Sequence, residues 1–419
     1  MRRLRGTITV LLLTLGAPGC ARAHAAAQTR APVAVPEPSD RARSYQRGNT
    51  VLWLADLALG VAIPAAVLAT GLAARLRDAA ARTAARLPWT RGRRWATVAG
   101  VVAGYGLLAT LAMLPFAFYA GFVREHAYGL STQTLGKWLR DGAIAWTLAT
   151  GFAMLAAPVV FLLLRRSPRR WWLWATLAAA PVLVALQIAG PVWVAPLFDR
   201  FRPLEAGPLR DGLVALATRA GVGHADIFVV DASADTRALN AYVAGLGGTH
   251  RIVLWDTLLE RLSHAEVRAV TAHELGHYVL GHVRLGLGLA LAGLMATLWL
   301  VHRTAGWAIG RWRARFGFDT LADPAALPLL LLLATLASLP LTPAALALSR
   351  RLERDADRYA LELTRDPRAV ATSFVALQET NLADPRPPAW LELLRYSHPP
   401  LGDRIDAANG WRPAAGAGR

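Results

Sequence analysis

The residues best suited to chemistry lie in one short string, Thr271 to His282, which reads TAHELGHYVLGH. Within it His273, Glu274 and His277 form HELGH. Two imidazoles four positions apart on a helix project from one face and can share a zinc ion, and Glu274 beside them can hold a water on that metal. Zinc lowers the pKa of its water and polarises a carbonyl, while a neighbouring carboxylate takes the proton and passes it to a leaving amine. That combination hydrolyses peptide bonds without a covalent intermediate, with Glu274 as the base. His282 lies five positions past His277 and about 140° further round a continuous helix, which predicts a helix-end residue and no ligand.

A hydrolytic zinc takes a third protein ligand and keeps one position open. Downstream, Ser349 to Ala360 (SRRLERDADRYA) offers Glu353 and Asp357, again four apart on one face. Glu353 would complete a His, His, Glu set for one zinc per chain, and Asp357 would orient a ligand imidazole from behind. Charge-rich helices also carry acids simply as partners of Arg one turn away. The pair therefore takes its meaning from the HELGH string.

Those two strings must be brought together by a chain that is 54% hydrophobic and 18% charged over 419 residues, which excludes a disordered or fibrous protein. Six segments are long and apolar enough to span a bilayer: about Val51–Ala74, Ala96–Val123, Ile144–Leu164, Trp171–Val194, Leu285–Val301 and Ala325–Leu348. Trp53, Trp95, Trp146, Trp171, Trp172, Trp299 and Trp307 fall near their ends, where an indole prefers the headgroup layer. Asp56 sits inside the first span, where a carboxylate is a functional candidate, but it is near enough to the end to reach the interface or Arg47 instead. Before the spans, Met1 to about Ala27 has Arg2, Arg3 and Arg5, a short apolar run and small residues, the pattern of an export signal or signal anchor; residues 28–50 are polar and Pro-rich. Cys20 is the single cysteine, so there is no internal disulfide and no thiolate cluster.

Between the fourth and fifth spans the composition becomes that of a soluble domain. Pro208 to Ala220 has helical spacing, while Asp226–Val230 (DIFVV) and Arg251–Leu254 (RIVL) read as strands, with a turn at Gly245–Gly248. The net charge of +18 would suggest nucleic acid in a soluble protein, but the arginines sit in short loops between apolar runs, which points to lipid headgroups and topology and to no nucleic acid. Arg75, Arg77, Arg82, Arg86, Arg91, Arg93 and Arg94 follow the first span, Arg165, Arg166, Arg169 and Arg170 the third, and Arg303, Arg311, Arg313 and Arg315 the fifth. They outnumber the cations of the opposite loops, so the positive-inside rule places them in the cytoplasm and the soluble stretch outside.

Taken together, several strings resemble the type 1 CAAX prenyl endopeptidases, multi-spanning zinc proteases of the gluzincin kind. They are REHAYGLSTQTLGKWLRD (Arg124–Asp141), APLFDRFRPLE (Ala195–Glu205), NAYVAG and RIVLWDTLLE (Asn240–Glu260), HELGHYVLGH, ERDAD, and YSHPPLGDRI (Tyr396–Ile405), in the family's order. The resemblance implies zinc on His273, His277 and Glu353, with Glu274 as base. It further implies that His398 steadies the oxyanion and that Asn240 contacts the substrate backbone; by themselves these residues read as a loop histidine and a turn asparagine. RIVL would then be an edge strand on which the substrate lies extended. Eukaryotic members of that family usually have seven spans and a cytosolic catalytic domain, whereas here six spans stand out and the loop charges point the domain outwards.

The expectation is therefore a mainly α, polytopic membrane protein with a small α/β zinc-metalloprotease domain, in the inner (cell) membrane of a bacterium with that domain towards the periplasm. Its divisions are 1–27 (signal), 28–198 (four spans) and 199–419 (protease domain with two more spans). The partners are the bilayer and a peptide or membrane-protein substrate, of CAAX type or arising in quality control; oligomeric state is left open. The rival reading is a non-catalytic, zinc-containing membrane chaperone or scaffold. A transporter would place its ionisable cluster in broken mid-membrane helices, not beside a soluble stretch.

Overall fold

Apolar runs of this length must satisfy every backbone N–H and C=O internally, and so they form helices. The computed structural model describes residues 31–90, 93–222, 226–244 and 251–413. The signal-like Met1–Ala27, Cys20 and the Gly245–Gly248 turn lie outside the described residues. In chain order, α1 (Asp40–Ala69), α2 (Leu72–Arg86), α3 (Arg94–Phe118), α4 (Arg124–Ala127), α5 (Leu135–Arg166) and α6 (Trp171–Ala189) lead to β1 (Phe201–Pro203). There follow α7 (Pro208–Arg219), β2 (Asp226–Val230), β3 (Ala241–Ala244), β4 (Arg251–Trp255), α8 (Asp256–Arg261) and α9 (His264–Val279). The chain ends with α10 (His282–Phe316), α11 (Leu327–Ser338), α12 (Thr342–Thr364), α13 (Pro367–Thr380), α14 (Ala389–Arg395) and α15 (Leu401–Gly410).

Among the described residues, six helical stretches are long and apolar enough to cross a membrane: Asp40–Ala69, Arg94–Ala127, Leu135–Arg166, Trp171–Leu197, His282–Phe316 and Pro324–Thr364. They coincide with the expected spans but differ at informative ends. The first begins in the polar stretch, because Ser39 caps it by accepting from the Ala42 N–H and Asp40 occupies its first turn. It stops at Ala69, where Gly71 turns the chain with φ 66°. The last continues past Leu348 to Thr364, so one rod carries both apolar residues and the Glu353–Asp357 pair. Asp56 is exposed and has no ion pair among the described residues.

The spans contact one another in a closed cycle, α1, α3, α5, α6, α10, α11 and back to α1. Their buried residues lie almost entirely in the half remote from the HELGH helix: Val67 and Leu68 on α1, Val98 to Tyr105 on α3, Phe161 and Leu164 on α5, Trp171 and Ala175 on α6, Val301 to Phe316 on α10 and Leu329 on α11. These side chains form two packed clusters that plug one end of the ring. In the half nearer α9 the same helices contribute few buried side chains.

Between Leu197 and Phe201 the chain passes from the fourth span into a four-stranded sheet of order β1-β2-β4-β3. β2 and β4 are parallel, with Val229 opposite Leu254, and the outer strands are antiparallel to them. RIVL is thus not an edge strand but a central one. Its Ile252, Val253 and Leu254 are all buried, which fits a strand paired on both sides. The free edge beyond β4 belongs to β3, directly after Asn240. Leu213 and Leu216 of α7, Leu258 of α8 and Leu275 of α9 pack with Ile252 and Leu254 into the core that fixes α9 on the sheet.

Candidate metal centre

The helix that carries HELGH begins at a reciprocal cap. Ser263 accepts from the Glu266 N–H, while the Glu266 carboxylate accepts from the Ser263 N–H at 2.8 Å. Gly276 lets α9 lie close against α12: a Cβ at this position would stand 3.2 Å from Ala356 Cα and 3.2 Å from Tyr359 Cβ. That close crossing delivers Glu353 to the two histidines. His273 Nε2 and His277 Nε2 are 3.1 Å apart. Glu353 Oε2 lies 3.3 Å from the first and Oε1 lies 3.3 Å from the second. One ligand atom from each residue fits within 4.8 Å of the others.

Each imidazole is backed on its other nitrogen. His273 Nδ1 is 2.8 Å from Asp357 Oδ1. Asp357 in turn receives two hydrogen bonds from Arg404 of α15, Nε to Oδ2 at 2.8 Å and Nη2 to Oδ1 at 2.6 Å. Arg404 is itself buried, with its guanidinium stacked 4.1 Å above the Phe374 ring. Glu353 and Asp357 therefore reach across to α9 and α15, and neither serves as a partner for an Arg on its own helix. His277 Nδ1 meets His282 Nδ1 at 3.0 Å. This corrects the reading of His282 as a simple helix end. The continuous-helix angle does not apply, because Gly281, with φ 71°, breaks the chain between α9 and α10 and swings His282 back onto His277.

A pocket of about 120 Å³ opens beside these groups, lined by Asn240, His273, Glu274, His398 and Arg404 among others. His398 Nε2 is 3.4 Å from Glu353 Oε1, with its outer edge in solvent. Its loop is held by the buried Arg350, which donates to the carbonyls of Glu392 at 2.8 Å and Tyr396 at 2.7 Å. Arg350 precedes Glu353 by one turn, so a single face of α12 both supplies the carboxylate and anchors the histidine loop. Burial raises the pKa of Glu274, against the pull of His273 and His277, a direction that suits a proton acceptor working near neutrality.

Whether the residues suit a metal can be tested on the polar atoms themselves. Glu353 Oε2 is buried and has no hydrogen-bond partner among the described residues. A carboxylate whose two oxygens face two imidazole nitrogens, one oxygen without a hydrogen-bond partner, is a costly arrangement unless a cation completes it. Burial disfavours a charged His273, but the carboxylates of Asp357 and Glu353 beside it outweigh that and push the pKa up to about 9. A cation shared by the same groups would take the place of that proton. Two imidazoles and a carboxylate are a donor set for zinc.

A ring of membrane helices with a His, His, Glu cluster at the end away from its packed core defines a membrane-embedded metalloprotease. Residues 203–412 match the family model described as Peptidase family M48 and residues 22–200 that described as CAAX prenyl protease N-terminal, five membrane helices; the chain belongs to family M48. Among its relatives, the uncharacterized metalloprotease YhfN of Bacillus subtilis (strain 168) is 35% identical over 315 residues, 75% of this chain and 74% of that one. CAAX prenyl protease 1 of Saccharomyces cerevisiae is 30% identical over 337 residues, 74% and 72% of the two chains. The crystal structure of S. mikatae Ste24p has the same fold, with a TM-score of 0.78 at 24% identity over 92% of this chain and 93% of that one.

All seven residues singled out from the sequence, His273, Glu274, His277, Glu353, Asp357, Asn240 and His398, meet at this one place. Three others were missed. Arg404 lies within YSHPPLGDRI and His282 within TAHELGHYVLGH, so both stood inside strings of interest, but no spacing rule connects Arg404 to Asp357 or sees the break at Gly281. Arg350 gave no signal beyond being one Arg in an Arg-rich helix.

Proposed function

We propose that this protein is a zinc endopeptidase that cuts peptides or segments of membrane proteins where the end of the helix ring away from its packed core meets the sheet. The observation that carries the reading is the convergence of His273, His277 and Glu353 around an unpartnered buried carboxylate oxygen. These three would hold one zinc per chain, with Asp357 fixing His273. Zinc bound there would supply Lewis acidity toward the scissile carbonyl and make the nucleophilic water more acidic.

The chain's own residues account for the rest. Substrate extends along the free edge of β3, with Asn240 contacting its backbone. Glu274 removes the proton from the attacking water and delivers it to the nitrogen of the breaking C–N bond. His398 Nε2 donates to the oxygen that gains charge as the carbonyl carbon becomes tetrahedral. We assign 28–198 to the membrane portion and 199–419 to the protease portion with its two further spans, in a bacterial inner membrane with the protease portion towards the periplasm. The relatives named CAAX prenyl protease suggest CAAX-type substrates, and the periplasmic orientation suggests quality control of membrane proteins. Glu274→Gln keeps size and zinc ligands while removing the base. Peptidase turnover should fall by roughly 10²–10⁴-fold with zinc retained, and undiminished turnover would overturn the assignment.

A further inference from the structure

Far from the metal centre, at the plugged end of the ring, a groove of about 390 Å³ lies between α2, the start of α3 and the Asp323–Pro324 turn. Glu353 and Pro324 sit on the same span, and 29 residues of helix at 1.5 Å each separate them by roughly 40 Å. Three guanidinium groups face the groove, those of Arg77, Arg93 and Arg94, against one lining carboxylate, Asp323. Arg77 is already matched, at 2.8 Å from Asp323 and 2.9 Å from Asp78. Arg93 and Arg94 have no carboxylate partner among the described residues; Arg94 donates to the Ala322 carbonyl.

The groove is built, not incidental. Gly100 of α3 would place a Cβ 2.9 Å from Ala80 Cβ, so only glycine allows α2 to pack this closely. The buried Thr90 donates to the Ala84 carbonyl at 2.8 Å and folds the chain back after α2, returning Arg93 to the same mouth. Ala81, Ala84 and Ala85 keep the wall short and apolar. Two spans begin at this level, at Arg94 and Pro324, and exposed Trp89 and Trp95 flank it, which marks the headgroup layer.

We propose that this groove binds the phosphate headgroup of an anionic phospholipid, with Arg93 and Arg94 on the phosphate and the alanine wall against the glycerol. Guanidinium forks suit phosphate oxygens, and a basic pocket among helix ends is the form such lipid sites take. This goes beyond the peptidase reading and does not depend on it.

The test uses full-length protein reconstituted in phosphatidylcholine nanodiscs doped with phosphatidylglycerol, transferred to mild detergent, with retained lipid counted by native mass spectrometry. Wild type should keep phosphatidylglycerol in preference to phosphatidylcholine. Arg93→Gln with Arg94→Gln should weaken retention roughly tenfold or more. Ala84→Leu, which fills the groove and leaves every arginine, should also lose the lipid. Arg165→Gln with Arg166→Gln, on another loop at this end, should retain it. Retention by either groove variant, equal loss in the Arg165 and Arg166 control, or no preference over phosphatidylcholine would overturn the proposal. Inorganic phosphate in millimolar excess should leave the lipid in place; displacement would assign the site to free phosphate and overturn the lipid reading.

Discussion

His273 and His277 are indistinguishable in the HELGH string, yet their backing differs. Asp357 gives the first an anionic acceptor, itself clamped by Arg404, whereas His282 gives the second a neutral ring. With both Nε2 atoms turned to the shared centre, His277 Nδ1 donates and His282 Nδ1 accepts, a tautomer assigned from the network. His282→Ala should weaken zinc affinity roughly 10–100-fold in competition with a chelator. His282→Asn, whose amide oxygen can accept, should recover part of the loss. Unchanged affinity in the alanine variant would show that His277 needs no such partner. At this scale the meeting of His273, His277 and Glu353 was foreshadowed by spacing, because i and i+4 positions share a helix face. What stands behind each imidazole could not, because it depends on a break at Gly281 and on a helix 131 residues further along the chain.

Between elements, the decisive contact is the crossing of α9 and α12. Gly276→Val would force its side chain into Ala356 and Tyr359, with an expected loss of about 1–3 kcal/mol by overpacking. Thermal melting should show that loss together with reduced metal occupancy; a valine variant with both unchanged would mean that the helices can separate freely. A second junction ties α5 to the protease portion. Lys137 lies 2.9 Å from Asp141, 2.6 Å from Asp235 and 3.7 Å from Asp199. Asp231 adds a further charge, and burial raises Asp199 to about 6, with Lys137 opposing and Asp235 reinforcing. Because the folded pKa exceeds the unfolded value near 3.9, protonated Asp199 favours folding. That contribution is complete below about pH 4 and is lost as the pH rises through about 6. Asp199→Asn should therefore stabilise the protein at about pH 8 by roughly 1 kcal/mol, a figure reduced for its partial exposure, and change little at about pH 4. An equal gain at both pH values would refute the sign. The strings Arg124–Asp141 and Ala195–Glu205 were conspicuous in the sequence, but their meeting at Lys137 was not foreseeable from either one.

For the molecule as a whole, six spans return the chain to the side from which α1 started, so Asp40, Thr364 and the metal centre share one end of the ring. The arginine-rich loops after the first, third and fifth spans share the other. By the positive-inside rule, the orientation proposed above has that end in the cytoplasm. A reporter active only outside the cytosol, fused after Arg419, should give full signal. A silent reporter beside an active cytosolic one would invert the topology and with it the compartment of the substrate.

The sequence by itself determined six apolar helices, two core strands and the side-chain types of the His, His, Glu cluster, since each follows from local periodicity. Tertiary structure decided that RIVL lies inside the sheet with β3 at its edge, that the buried side chains of the spans gather at one end of the ring, and that Arg404, His282 and Arg350 support the centre. Those outcomes depend on which distant surfaces bury one another, and side-chain spacing along a single helix or strand carries no record of its neighbours.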